Sequence, residues 1–138
     1  MFKSAMLIHL AGVGQLLLVI ASTFIPRMLH WREELAAVKP LTRRIFWTYA
    51  VYILGTNTFF GIVSAFWPGG LVDGSHAARA LTTFMAAYWV GRVVVQFVWF
   101  GREAPEGLKF RVAEAALVTG FIFFASVYVG AAWVNFTR

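Results

Sequence analysis

The chain has no cysteine. That excludes disulfides, thiolate catalysis, iron–sulfur clusters and cysteine-based zinc sites. It also excludes the quinone-linked membrane enzymes that form disulfides. Charge is scarce: 13% of the 138 residues are Asp, Glu, Lys or Arg, against about 25% in a soluble domain. Acids are scarcer than bases, six against twelve, giving a formal net charge of +6. Enzyme signatures are missing as well. The chain has no GxSxG elbow, no HExxH, no P-loop and no carboxylate dyad. The sequence therefore leans away from an enzyme and names no cofactor.

Apolar residues, by contrast, make up 60% of the chain, and the mean hydropathy is +0.73. Four runs, 5–25, 45–67, 80–100 and 112–134, each supply the roughly 20 residues that cross a ~30 Å hydrocarbon core. In lipid only helices and closed barrels satisfy the backbone, and barrel strands need only about 10 residues. The reading is an all-α integral membrane protein. It is an up-down bundle of four transmembrane helices, with 1–138 as a single membrane domain. In size it resembles the small multidrug-resistance transporters. Those rest on a glutamate in the first span, where this chain has Gln15, so the resemblance stops at size.

The bases fix an orientation. Arg27, Arg32, Lys39, Arg43 and Arg44 lie in the loop 26–44, and Arg102, Lys109 and Arg111 in the loop 101–111. Only Lys3, Arg79 and Arg138 fall on the opposite side. Eight against three is a positive-inside pattern rather than a nucleic-acid footprint. Both termini are expected outside and the two basic loops in the cytoplasm, in a bacterial-style inner membrane. Trp31, Trp47 and Trp99 fall at the inner edge, Trp67 and Trp133 at the outer. The first run is read as a retained span, because cleavage after it would place the basic 26–44 loop outside.

The loops carry local signals. Met28, Trp31, Leu35 and Val38 recur at helical spacing between Pro26 and Pro40. They predict a short amphipathic helix at the inner interface, or a continuation of the first span. Thr42 is the expected N-cap of the second span and Ser75 of the third. The glycine-rich turn at 68–74 and the short 101–108 connection predict neighbouring antiparallel helices. Ala87 with Gly91, Ala116 with Gly120, and Gly12 with Gly14 offer small surfaces for close helix approach.

One residue stands apart. Arg92 is the only charge in the run 80–100, and ionisable groups at that depth are costly and point to a function by default. Tyr88, Arg92 and Gln96 share one stripe of the third span. The second span offers Tyr49, Tyr52, Thr56 and Asn57, and the first offers Gln15. At 1.5 Å per residue, Gln15, Thr56, Asn57 and Arg92 all fall within roughly 3 Å of the midplane. Glu114, the only acid inside a span, lies about 13 Å from it. The two side chains also lean apart along antiparallel helices, so a direct pair needs an unusual rotamer or a bridge. Histidines His9 and His76 lie toward the outer side and are the weak metal-ligand candidates.

Three readings of Arg92 remain open. In the first, neutral groups satisfy it and it locks the bundle; in the second, an amphiphilic anion binds it; in the third, a partner subunit supplies a carboxylate. The leading function is a non-catalytic accessory or oligomer-forming subunit, homo- or hetero-oligomeric, in the lipid bilayer. The alternative is a binder or transporter of an amphiphilic anion such as a lipid, fatty acid or quinone-like ligand. Its site would be Arg92, Gln96, Tyr88, Gln15, Thr56, Asn57 and Tyr52.

Overall fold

A computed structural model describes residues 2–100 and 107–137. Every regular element in it is helical: α1 (Phe2–Ser22), α2 (Ile25–Met28), α3 (Trp31–Leu35), α4 (Pro40–Phe66), α5 (His76–Val95) and α6 (Leu108–Phe136). A 3₁₀ turn, Pro68–Leu71, joins α4 to α5, and a π-helical turn, Gln96–Phe100, ends α5. Four segments are long and apolar enough to cross a membrane: Ala5–Met28, Pro40–Phe66, His76–Val98 and Arg111–Phe136. The protein is a small membrane protein with four candidate spans. Arg102 and the rest of 101–106 lie outside the described residues.

Two helical hairpins make the bundle. The most extensive contacts run between α1 and α4 and between α5 and α6, and a shorter contact between α1 and α6 joins the pairs. The α1–α4 contact depends on a missing side chain. A Cβ at Gly12 would lie 2.3 Å from the Ala65 nitrogen and 2.7 Å from the Ser64 carbonyl carbon. Both are backbone atoms that cannot give way, so only glycine lets the helices approach this far. Gly61 answers from α4, where a Cβ would meet Leu16 at 2.8 Å.

The small pairs on α5 and α6 behave differently from expectation. Nothing lies within 4 Å of a Cβ at Gly91, and one at Gly120 meets only Phe124 of its own helix. Ala87 and Ala116 are exposed. The α5–α6 contact is made by aromatic rings instead. Trp89 stacks on Phe121 at 5.6 Å and tilts against Phe124 at 4.9 Å. Nor are α4 and α5 the close neighbours their short connection suggests. They meet chiefly through Phe60, edge-on to Phe84 at 5.8 Å and to Tyr88 at 5.3 Å.

Local signals had mixed outcomes. Ser75 caps α5, its hydroxyl accepting from the Ala78 N–H at 3.1 Å. Helix α4 starts at Pro40 rather than after Thr42, with Lys39 as N-cap. Proline favours the first helical position because its missing N–H has no intrahelical partner there anyway. The first span continues only as far as Met28, through α2, and the stripe from Met28 to Val38 does not form one amphipathic helix. It breaks into α2 and α3 at His30, whose φ of 54° is left-handed. That reversal brings Trp31 back onto α4, edge-on to Phe46 at 4.9 Å and to Trp47 at 5.9 Å.

Burial is uneven along the helices. One cluster holds Ile8, Ala11, Phe60, Leu71, Val72, Met85, Trp89, Phe121, Phe124, Tyr128 and Ala131. All of these lie in the half nearest the Pro68 turn. No residue from 16 to 59 is buried, and none from 111 to 120. The end carrying α2, α3 and the start of α4 is therefore thinly packed.

Candidate functional site

The mid-membrane polar residues divide into two groups. The first is centred on Gln15, which is fully buried. Gly12 brings α1 close to α4 and so presents Gln15, one turn on, to the interior. Its Nε2 donates to the Ala11 carbonyl at 3.2 Å and to the Tyr128 hydroxyl of α6. Its Oε1 accepts from the Trp89 Nε1 of α5 at 3.2 Å. The Tyr128 hydroxyl also bonds the Ser64 hydroxyl of α4. Four side chains from four helices thus satisfy one another in a place where unpaired polar atoms are costly.

The second group contains Arg92. Its Nη1 donates to the Gln96 Oε1 at 3.3 Å, and the Gln96 Nε2 donates to the Glu114 Oε1 of α6 at 3.5 Å. The Arg92 guanidinium also lies over the Phe121 ring, 4.6 Å from its centroid. The depth gap between Arg92 and Glu114 is thus bridged by a neutral amide. Gln96 sits one turn beyond Arg92, toward Glu114, and its two-ended side chain donates to one and accepts from the other. Tyr88, a turn before Arg92, packs on Phe60 and Trp89. The Asn57 Oδ1 is buried without a hydrogen-bond partner among the described residues.

The remaining site candidates stand elsewhere. The Thr56 hydroxyl is occupied by the Tyr52 carbonyl at 2.8 Å. Tyr52 is 68% exposed and Tyr49 62%. His9 holds the Ala65 carbonyl through Nδ1 at 2.7 Å, joining α1 to α4, and His76 is exposed in the first turn of α5. No three of His, Cys, Asp and Glu gather at metal-binding distance among the described residues.

A third polar cluster was not singled out from the sequence. Asn135, buried near the end of α6, donates through Nδ2 to the Leu71 carbonyl at 2.7 Å and to the Thr82 hydroxyl at 3.1 Å. Its Oδ1 accepts from the Gly74 N–H at 3.1 Å. Arg79 donates to the Asn135 carbonyl at 3.2 Å and lies over Phe136. One side chain thus pins the 68–74 turn to α5 and α6. Its place just past the fourth apolar run made it look like a terminal polar residue. Tyr128 and Ser64 gave equally little signal, since a tyrosine and a serine in a span usually pass as packing residues.

Comparison with protein-family models, with curated proteins and with solved structures gives no match.

Proposed function

We propose that the protein is a non-catalytic membrane subunit that assembles with further chains through its thinly packed half. The observation that supports this reading is the uneven burial: four helices hold a core near the Pro68 turn, while residues 16–59 and 111–120 bury nothing. Arg92, Gln96 and Glu114 stand at the edge of that half and are only partly covered, apart from Gln96. Intramembrane charges face a protein interior or a water-filled cavity, and a second chain supplies the former. An amphiphilic anion at Arg92 has less support, because the Gln96 amide and the Phe121 ring already engage the guanidinium. Native mass spectrometry in mild detergent tests the proposal. Wild type is expected at a multiple of the chain mass or with a co-purifying chain, and Arg92→Ala is expected to reduce the assembled fraction. A single-chain mass in both samples would sink it.

In this reading both termini face outward and the basic 26–44 segment faces the cytoplasm, as the excess of arginine and lysine there favours. The absence of native cysteine makes the test clean. An impermeant thiol reagent on intact cells should label Ser75→Cys and spare Glu34→Cys; the reverse pattern would invert the topology.

A further inference from the structure

We infer that the groove between α4 and α5 binds one anionic phospholipid, with an acyl chain along Gly55 and the phosphate at Arg44. The groove holds about 570 Å³ and is lined by Val51, Tyr52, Gly55, Phe59, Phe60 and Phe84, with Thr56 and Leu81 completing the wall. That volume lies in the range of roughly 300–1,000 Å³ typical of ligand sites. Gly55 leaves it open on the α4 side. Phe60 packs on Phe84 and Tyr88, so in antiparallel register Gly55 stands level with Gly91, and a Cβ at either would meet nothing within 4 Å. The wall is chiefly hydrocarbon: the Thr56 hydroxyl is committed to the Tyr52 carbonyl, which leaves the Tyr52 hydroxyl as its further polar side-chain group. It suits a tail, not a head.

The head is set by register. Val51 and Gly55 follow Arg44 by seven and eleven residues, close to two and three helical turns, so all three share one face of α4. Eleven residues rise about 16 Å, which matches one leaflet of a ~30 Å core. A lipid with its tail at Gly55 therefore has its phosphate beside Arg44. Arg44 is exposed, and it forms no ion pair with a carboxylate among the described residues. Lys39 and Arg43 stand nearby on the same helix start and add to the attraction for a net negative head group. This inference does not rest on the subunit reading, and the lipid test can fail while the assembly test succeeds.

The test uses the full chain reconstituted in an equimolar mixture of phosphatidylglycerol and phosphatidylcholine with matched acyl chains. Retained lipids are counted by native mass spectrometry. Wild type is expected to keep one lipid, with phosphatidylglycerol preferred. Gly55→Leu should lose both lipids, and Gly55→Ala should retain an intermediate amount. A Cβ at Gly55 meets nothing within 4 Å, and helical circular dichroism checks that both variants fold. Arg44→Gln should still keep a lipid while the preference falls about fivefold, the worth of one interfacial cation. Arg32→Gln, a cation off this face, should change neither. Undiminished retention in Gly55→Leu overturns the site. So does a preference unchanged in Arg44→Gln, or one lost equally in Arg32→Gln.

Discussion

Tyr128 is the residue on which the packed half turns. Its hydroxyl joins Gln15 of α1 to Ser64 of α4, and its ring is wholly buried. Tyr128→Phe keeps the ring and removes the hydroxyl. That leaves the Ser64 hydroxyl and one donor of Gln15 without their shared partner, at a cost of about 1–3 kcal/mol. A clear drop in melting temperature in detergent is expected. Ser64→Ala should cost less, because the Tyr128 hydroxyl keeps Gln15. Equal melting of Tyr128→Phe and wild type would show that the network adds no stability. The sequence grouped Gln15 by depth with Arg92, Thr56 and Asn57, whereas its side-chain partners are Tyr128 and Trp89. Depth follows from counting along one helix, whereas the partner depends on how that helix is rotated about its axis.

At the scale of elements, the two hairpins are closed by different means. Helices α1 and α4 touch backbone to backbone at Gly12, whereas α5 and α6 are held by Trp89, Phe121 and Phe124. Gly12→Ala should therefore lower stability by about 1–3 kcal/mol, as overpacking does. Gly91→Ala should be neutral or raise stability, since alanine is the better helix former by about 1 kcal/mol and nothing obstructs its Cβ. Parallel denaturation of the two variants checks this, and equal losses would contradict it. Both glycines sit in small-residue patterns, so the pattern could not tell them apart. What separates them is the neighbour, and no neighbour is written in a single helix. The break at His30 was hidden for a similar reason. The apolar spacing on either side of it is helical, and only the return of Trp31 to Phe46 and Trp47 calls for the left-handed residue between.

The whole molecule is packed at one end and loosely packed at the other. Local stability follows the density of buried contacts. Amide hydrogen exchange in detergent should therefore be slowest in 60–66, 82–89 and 121–131 and faster in 41–55 and 111–119. Protection that is uniform along α4 would contradict the uneven core. On assembly, the faster segments should gain protection while the slow ones stay unchanged.

The apolar runs of the sequence determined that the chain is helical, with four segments long enough to cross a membrane. The physical reason is that lipid offers the backbone no hydrogen bonds, so long apolar runs have one workable conformation. Composition also brought out Arg92, because a charge in such a run is conspicuous by itself. The tertiary structure decided everything that depends on which helix faces which. It gave Arg92 a route to Glu114 through Gln96, moved Gln15 to Tyr128, Ser64 and Trp89, and made Asn135 the clamp on the Pro68 turn. Hydropathy records how deep a residue lies along the membrane normal. Contacts depend on azimuth and on helix order, two quantities to which the period of an apolar span is blind.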